Sequence, residues 1–286
     1  MFPRTALSGF SIALLVILVA LATSACAALQ PIDATGPRPN APAYPIGLAD
    51  PAARLEEASV AWYTMSQHYG LADKTSANLN PYTGTLEGLP ANAGTITLPS
   101  VGTEPVQTEE QTRESLRRFI AEWRPLIGAD PNQLSLVERT DEANGIKVAR
   151  YEQRPFRYAL RGGFGNLLIR FRPDRQVVSI SSNCIPNADR LQAALNGLTP
   201  KLNSDQAIEH VRKQPFTDPD ASGRQQTFTI PSNAALAARQ LVVYARPSAE
   251  QAGGLQLYLA WEIEVTNGPI KIVYLDALSD QVIAVA

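Results

Sequence analysis

Thr108-Glu109-Glu110-Gln111 opens the stretch that decides the fold, Thr108 to Ser182. Four residues in this order make a capping box: the Thr108 hydroxyl accepts from a backbone N–H that lacks an intrahelical partner, and Gln111 reaches back to the Thr108 amide. Leu116, Phe119, Ile120 and Trp123 follow at offsets of three, four and seven, one face of an α-helix. Arg113, Arg117, Arg118 and Glu122 fall mostly on the other face, and Pro125 with Gly128 ends the helix. Strand material comes next. Leu134-Ser135-Leu136-Val137 runs toward Asn144-Gly145, a hairpin signal, and Ile146 to Tyr151 alternates apolar and polar residues. Leu167 to Arg172 reads as a third strand, and Pro173-Asp174-Arg175-Gln176 turns it into Val177 to Ser181. One amphipathic helix followed by an antiparallel meander predicts an α+β layer, a helix lying on one face of a sheet.

The stretch from Leu202 to Ala286 repeats this plan. Asn203, with Gln206 three residues on, caps a helix carrying Ala207, Ile208 and Val211, which Pro215 ends. Strands are expected at Thr227–Ile230, Gln240–Tyr244, Leu255–Thr266, Ile270–Leu275 and Gln281–Val285, with a turn at Asn267-Gly268. Between the two units, Ala188 to Leu198 reads as a short helix. Upstream, Asp50-Pro51 starts a helix on which Leu55, Ala58, Trp62, Met65 and Tyr69 repeat at helical spacing, and Gly70 stops it. That stripe calls for a surface, either the following domain or a partner. Leu71 to Gln107 reads as loop wrapped on the surface, with one short edge strand at Thr95–Leu98.

The N-terminus reads as an address. Arg4 is a positive start, Phe10 to Ala22 a short apolar core, and Thr23-Ser24-Ala25-Cys26 a small-residue cleavage region, so residues 1–26 are expected to be a signal peptide. Ser24-Ala25-Cys26 resembles a bacterial lipobox, which makes Cys26 the expected lipidation site and the membrane a partner through that anchor. Thr23 stands where an apolar residue is usual, and Ala25-Cys26-Ala27 offers an alternative site for ordinary release. Five prolines between Pro31 and Pro45 make residues 27–49 a semi-extended linker.

The charge balance, 25 basic against 27 acidic residues, offers no footprint for nucleic acid. With Cys26 lipidated or removed, Cys184 has no intramolecular partner, so no disulfide is expected. The two histidines, His68 and His210, lack the His-Glu-x-x-His context of a zinc site and read as helix-surface residues. Arg161-Gly162-Gly163-Phe164-Gly165 leads into a strand and lacks the Lys-Ser/Thr of a phosphate loop, so it reads as a turn. Asp218, Asp220, Ser222 and Gly223 resemble part of a calcium loop, but Thr229 stands where the bidentate Glu belongs. No catalytic, metal-binding or cofactor-binding residue is expected.

The order of residues resembles a known pair of domains. Residues 108–186 are similar to the fungalysin/thermolysin propeptide domain, through Phe119-Ile120-Ala121-Glu122, Leu134 to Val137, Tyr151-Glu152-Gln153, Gly162-Gly163 before Leu168 to Phe171, and Gln176 to Ser181. Residues 202–286 look like the PepSY domain that follows it, through Ser204 to Ile208, Leu241 to Tyr244, Leu259 to Ile263 and Tyr274 to Ala277. The resemblance implies two helix-on-antiparallel-sheet domains, with residues 50–107 as an added N-terminal helix and loop. It implies a non-catalytic, exported protein that binds a secreted thermolysin-like peptidase in trans, as inhibitor or folding assistant. Residues 1–286 hold no His-Glu-x-x-His motif, so these residues are not expected to carry the peptidase themselves. The alternative expectation is an envelope lipoprotein with a structural or ligand-binding role.

Overall fold

In the computed structural model the strands form two larger sheets, each with helices on one face, and two separate two-stranded hairpins. The structure describes residues 43–48, 50–72, 76–90, 94–102, 108–142, 144–213, 215–219, 224–267 and 270–286. The expected leader, its Cys26 and most of the proline-rich segment lie outside these residues. The chain is mixed α and β, with sheets built mainly from antiparallel neighbours.

In chain order, β1 (Ile46–Gly47) and α1 (Pro51–Tyr69) precede three short strands, β2 (Asn78–Leu79), β3 (Leu86–Gly88) and β4 (Ile96–Thr97). Then come α2 (Glu109–Glu122), α3 (Arg124–Ile127), β5 (Leu134–Asp141), β6 (Lys147–Gln153), β7 (Ala159–Arg161), β8 (Asn166–Phe171) and β9 (Gln176–Ser182). The last third holds α4 (Ala188–Asn196), α5 (Ser204–Lys213), β10 (Phe216–Pro219), β11 (Gln225–Phe228), β12 (Ala235–Pro247), β13 (Leu255–Thr266), β14 (Ile272–Asp276) and β15 (Val282–Val285).

The helix ends follow from side-chain chemistry. Asp50 accepts from the Ala52 amide at the start of α1, and Gly70 closes it with φ of 59°, the left-handed conformation that glycine adopts at little cost. Both halves of the predicted capping box are made at α2: the Gln111 amide donates to the Thr108 hydroxyl, and the Thr108 amide to the Gln111 side chain.

The first sheet is antiparallel throughout, in the order β4-β9-β8-β6-β5. Period-two alternation turns Leu167, Ile169 and Phe171 of β8 to one face, together with Ala149 and Tyr151 of β6. Leu116, Phe119 and Ile120 of α2 and Ala58, Trp62 and Met65 of α1 complete that core. Each of the leucine, isoleucine, phenylalanine and methionine side chains contributes about 1.5–3 kcal/mol by leaving water. The α1 stripe therefore packs within this chain, the first of its two expected destinations.

The second sheet runs β15-β14-β13-β12-β7, with β1 against the end of β13 that β14 does not reach. Leu191 and Leu195 of α4 pack on Val243, Ala245, Leu255 and Leu257. Further along the sheet, Ala207 and Val211 of α5 pack on Ile263, Val265, Val273 and Leu275. Tyr258, Ala260 and Tyr274 belong to a separate cluster with Val242 and Ile283.

Three expectations are corrected. Ala159–Arg161 lies inside the stretch assigned to the first unit, yet it pairs with β12 of the second, and it pairs parallel: Val242 faces Ala159 and Tyr244 faces Arg161. The sheets are therefore not antiparallel throughout. The end of the proline-rich segment is not all linker, because Ile46 and Gly47 form a strand on Leu257 and Gln256. Loop alone does not describe residues 71–107: besides the edge strand found at Ile96–Thr97, the segment holds the β2–β3 hairpin. There Asn80 accepts from the Tyr82 and Thr83 amides, and Thr85 donates to the Ser182 carbonyl.

Candidate functional site

The open edge of the first sheet is β5, eight residues whose outer backbone groups pair with no strand among the described residues. A bulge between Leu136 and Glu138 leaves Val137 without a partner on β6. Leu136 and Val137 are 37% and 40% exposed, unusual for apolar residues in a strand and suited to a strand that awaits a neighbour. The bulge bends the edge, one of the ways natural sheets avoid indiscriminate pairing.

Beside this edge lies a groove of about 380 Å³ between α2 and β5, lined by Ile120, Leu136, Tyr151, Pro131, Arg113 and Arg117. Burial pushes the Tyr151 hydroxyl up to about 12, against the opposing pull of Arg139 and Arg113. The arginines at the groove carry carboxylate partners. Arg113 bonds Glu109 at 2.9 Å and Arg117 bonds Glu114 at 2.6 Å, while Arg139, outside the groove lining, is ion-paired with Glu109 at 3.0 Å. Hydrogen bonds from Arg117 and Arg118 hold the Glu114 carboxyl down at about 2. An apolar floor with balanced charges at its rim is suited to an extended peptide: main-chain bonds to β5 and an alternate side chain in the groove.

The residues weighed from the sequence are dispersed. Cys184 is fully buried, and desolvation pushes its thiol up to about 12, the opposite of an activated nucleophile. His68 is exposed at the end of α1, edge-on to Trp123 at 5.6 Å, and His210 is half-buried on α5. Neither has a second ligand, and among the described residues no group of three His, Cys, Asp or Glu side chains comes together. Most of the Asp218–Gly223 segment, and Cys26, fall outside the described residues.

The glycine-rich loop has a packing reason. Gly162 has φ of 96°, and a Cβ there would stand 1.9 Å from the Ala245 carbonyl oxygen, so glycine permits the close approach of β7 to β12. Trp123 and Trp261 are held by neighbours: Trp123 is 5% exposed in the first core, and the Trp261 indole donates to the Leu202 carbonyl at 3.0 Å.

Sequence reasoning missed Arg54. It is only 8% exposed on α1, and its Nη2 donates to the carbonyls of Tyr82 and Gly253 at 2.7 and 3.1 Å. Its Nε and Nη1 are buried with no hydrogen-bond partner. The signal was available: Arg54, Ala58, Trp62 and Met65 share the buried stripe of α1, and a cation on such a stripe needs a reason.

No family model matches this chain, and no curated protein matches it either. No helix among the described residues is long and apolar enough to cross a membrane.

Proposed function

We propose that this chain is a non-catalytic, exported binding protein that docks onto a secreted thermolysin-like peptidase in trans, as inhibitor or folding assistant. It would do so with two propeptide-like α+β modules, similar to the fungalysin/thermolysin propeptide and PepSY domains, tethered to the membrane through lipidated Cys26. The observation that carries this reading is the open β5 edge with its apolar groove. An eight-residue edge offers main-chain hydrogen bonds to an extended segment, and the groove between α2 and β5 selects an apolar side chain. The helix-then-strands order in both halves, as the resemblance implies, supports the same reading.

The test is inhibition and capture. The purified protein is expected to slow a thermolysin-like enzyme, and affinity purification from the cell envelope to enrich a peptidase. Leu136→Asp with Val137→Asp, two exposed positions, is expected to weaken inhibition at least tenfold with the melting temperature unchanged. Absence of both inhibition and enrichment, or full inhibition by the double variant, refutes the reading.

The second reading is an envelope lipoprotein with a ligand-binding role. The specific observation in its favour is the pair of clefts at Arg54.

A further inference from the structure

Two clefts adjoin Arg54, of about 310 and 370 Å³. One wall of the larger is the chain's own 43–48 segment, through Ala43, Ile46, Gly47 and Leu48, and the facing wall is α4, through Leu191 and Ala194. That segment covers a sheet edge. β14 pairs with β13 only from Ala260 to Glu264, so it does not reach Leu255, Leu257 and Leu259. Residues 44–48 meet all three instead. The Leu48 amide donates to the Leu255 carbonyl at 3.0 Å, Ile46 pairs with Leu257, and the Leu259 amide donates to the Tyr44 hydroxyl at 3.2 Å. Ile46 is buried with Leu191, Leu195, Leu255 and Leu257, while the Tyr44 ring stands edge-on to Tyr258 at 6.0 Å. Gly47 is exposed, and a Cβ there would meet nothing within 4 Å.

This is how a peptide adds to a sheet edge: main-chain bonds to alternate residues, with pockets for alternate side chains. Here the peptide belongs to the chain itself. Ordering its six residues costs backbone freedom. The return is a two-residue pairing, one further backbone bond, one buried isoleucine and the Tyr44 hydroxyl. α1, next along the chain, is anchored separately, because Ala58, Trp62 and Met65 pack in the first core. The 43–48 segment can therefore lift as a local unit, at a cost below that of unfolding either sheet.

We propose that residues 43–48 are a built-in, autoinhibitory occupant of a strand-acceptor site on β13, and that the site takes an extended, uncharged segment of another protein. The partner segment carries an aromatic and two aliphatic residues at alternate positions, as Tyr44, Ile46 and Leu48 do. Its chemistry is read from the segment already seated there. A second copy of this chain is disfavoured as the source, because lifting its own segment empties one site for every site it fills. The site uses a different sheet from β5 and stands or falls independently of the peptidase reading.

The experiment titrates the full chain with a fluorescein-labelled peptide of residues 43–50 and reads anisotropy. In Ile46→Asp a carboxylate cannot stay among leucines, so the covering segment leaves. The peptide is expected to bind this variant at least tenfold more tightly than the wild type, since the closed population lowers apparent affinity. A peptide with aspartate at the Ile46 position is expected to bind it at least tenfold more weakly. Hydrogen exchange should show the Leu259 amide losing protection in Ile46→Asp and regaining it with the peptide. Ile46→Ala, a milder loosening, is expected to bind the peptide at least threefold more tightly than the wild type, and it decides the matter where Ile46→Asp fails to fold. The proposal is overturned by equal affinity in the wild type and the variants, by no binding to either variant, or by a scrambled peptide binding as tightly. Loss of strand content in Ile46→Ala by circular dichroism also overturns it, since the segment is then core and not occupant. A concentration-dependent dimer of the wild type in sedimentation would assign the site to a second copy and overturn the choice of partner.

Discussion

Replacing Tyr44 by phenylalanine removes one oxygen from the point where the residues just before β1 meet the second sheet. The Tyr44 hydroxyl donates to Asp276 at 2.7 Å and accepts from the Leu259 amide at 3.2 Å. Asp276 is 2% exposed and also accepts from the amides of Leu278 and Ser279 and from the Ser279 hydroxyl. The substitution therefore leaves the carboxylate three of its four donors but strips the Leu259 amide of its acceptor. A hydrogen bond to a charged group contributes about 1.5–3 kcal/mol, and an orphaned buried amide costs about 1–3 kcal/mol. With three donors retained, the expected loss is about 2–4 kcal/mol, or roughly 5–12 °C in melting temperature for a unit of this size. Burial first, then the bond to Asp276, raises the Tyr44 pKa above its ordinary value. The stability tied to that shift is fully present below the unfolded pKa of about 10 and is lost as pH rises above it. The wild type should thus lose stability above pH 10 more steeply than Tyr44→Phe. Urea titrations at pH 7 and across pH 9–11 read both quantities, and a double-mutant cycle with Asp276→Asn reads the coupling. A loss under about 1 kcal/mol, or additive single and double variants, refutes the reasoning.

Other outcomes follow from the same geometry. Arg161 of β7 holds the carboxylate of Glu262, 5% exposed, at 2.6 Å; Arg161→Leu should cost about 2–4 kcal/mol by urea titration, and far less when combined with Glu262→Leu. Gly162→Ala should cost about 3 kcal/mol or more because of the Ala245 carbonyl. Gly163→Ala, with φ of 82° and open space for its Cβ, should cost only about 1–2 kcal/mol in the same assay. For Cys184, burial raises the thiol to about 12, so its stability is present below the unfolded pKa near 8.5 and is lost as pH rises toward 12. Denaturant titrations should therefore show Cys184→Ala losing roughly 2 kcal/mol less than the wild type between pH 8.5 and 10, and a disulfide reagent should label Cys184 only after unfolding.

Where local chemistry decides the conformation, the fold was readable. The Thr108 capping box, the Asp50-Pro51 start, the strand from Leu255 to Thr266 and the helix from Ala188 onward all stand near their expected places. What failed to announce itself is what distant residues decide. Ile46–Gly47 is too short to show any alternation and becomes a strand only because β13 has a free edge there. Ala159–Arg161 looks like turn material, and its partner lies some eighty residues later in the chain. β5 was visible as Leu134–Val137, but its continuation to Asp141 was not, since Glu138, Arg139 and Asp141 lack an apolar rhythm and are held by cross-strand and helix ion pairs. The Arg54 clefts gather residues from α1, the 83–84 turn, the 186–190 corner and the residues around β1, and no short motif spans such a set.

Because Ala159–Arg161 leaves the run of first-sheet strands to border β12, the later half of the chain does not own a complete set of strands. A fragment starting at Leu202 would present the flank of Val242–Tyr244 bare to solvent, inviting self-association. During synthesis, the excursion must wait for β12 to emerge from the ribosome before its parallel rungs can close. Maturation of the earlier half is in that sense held back by the later one.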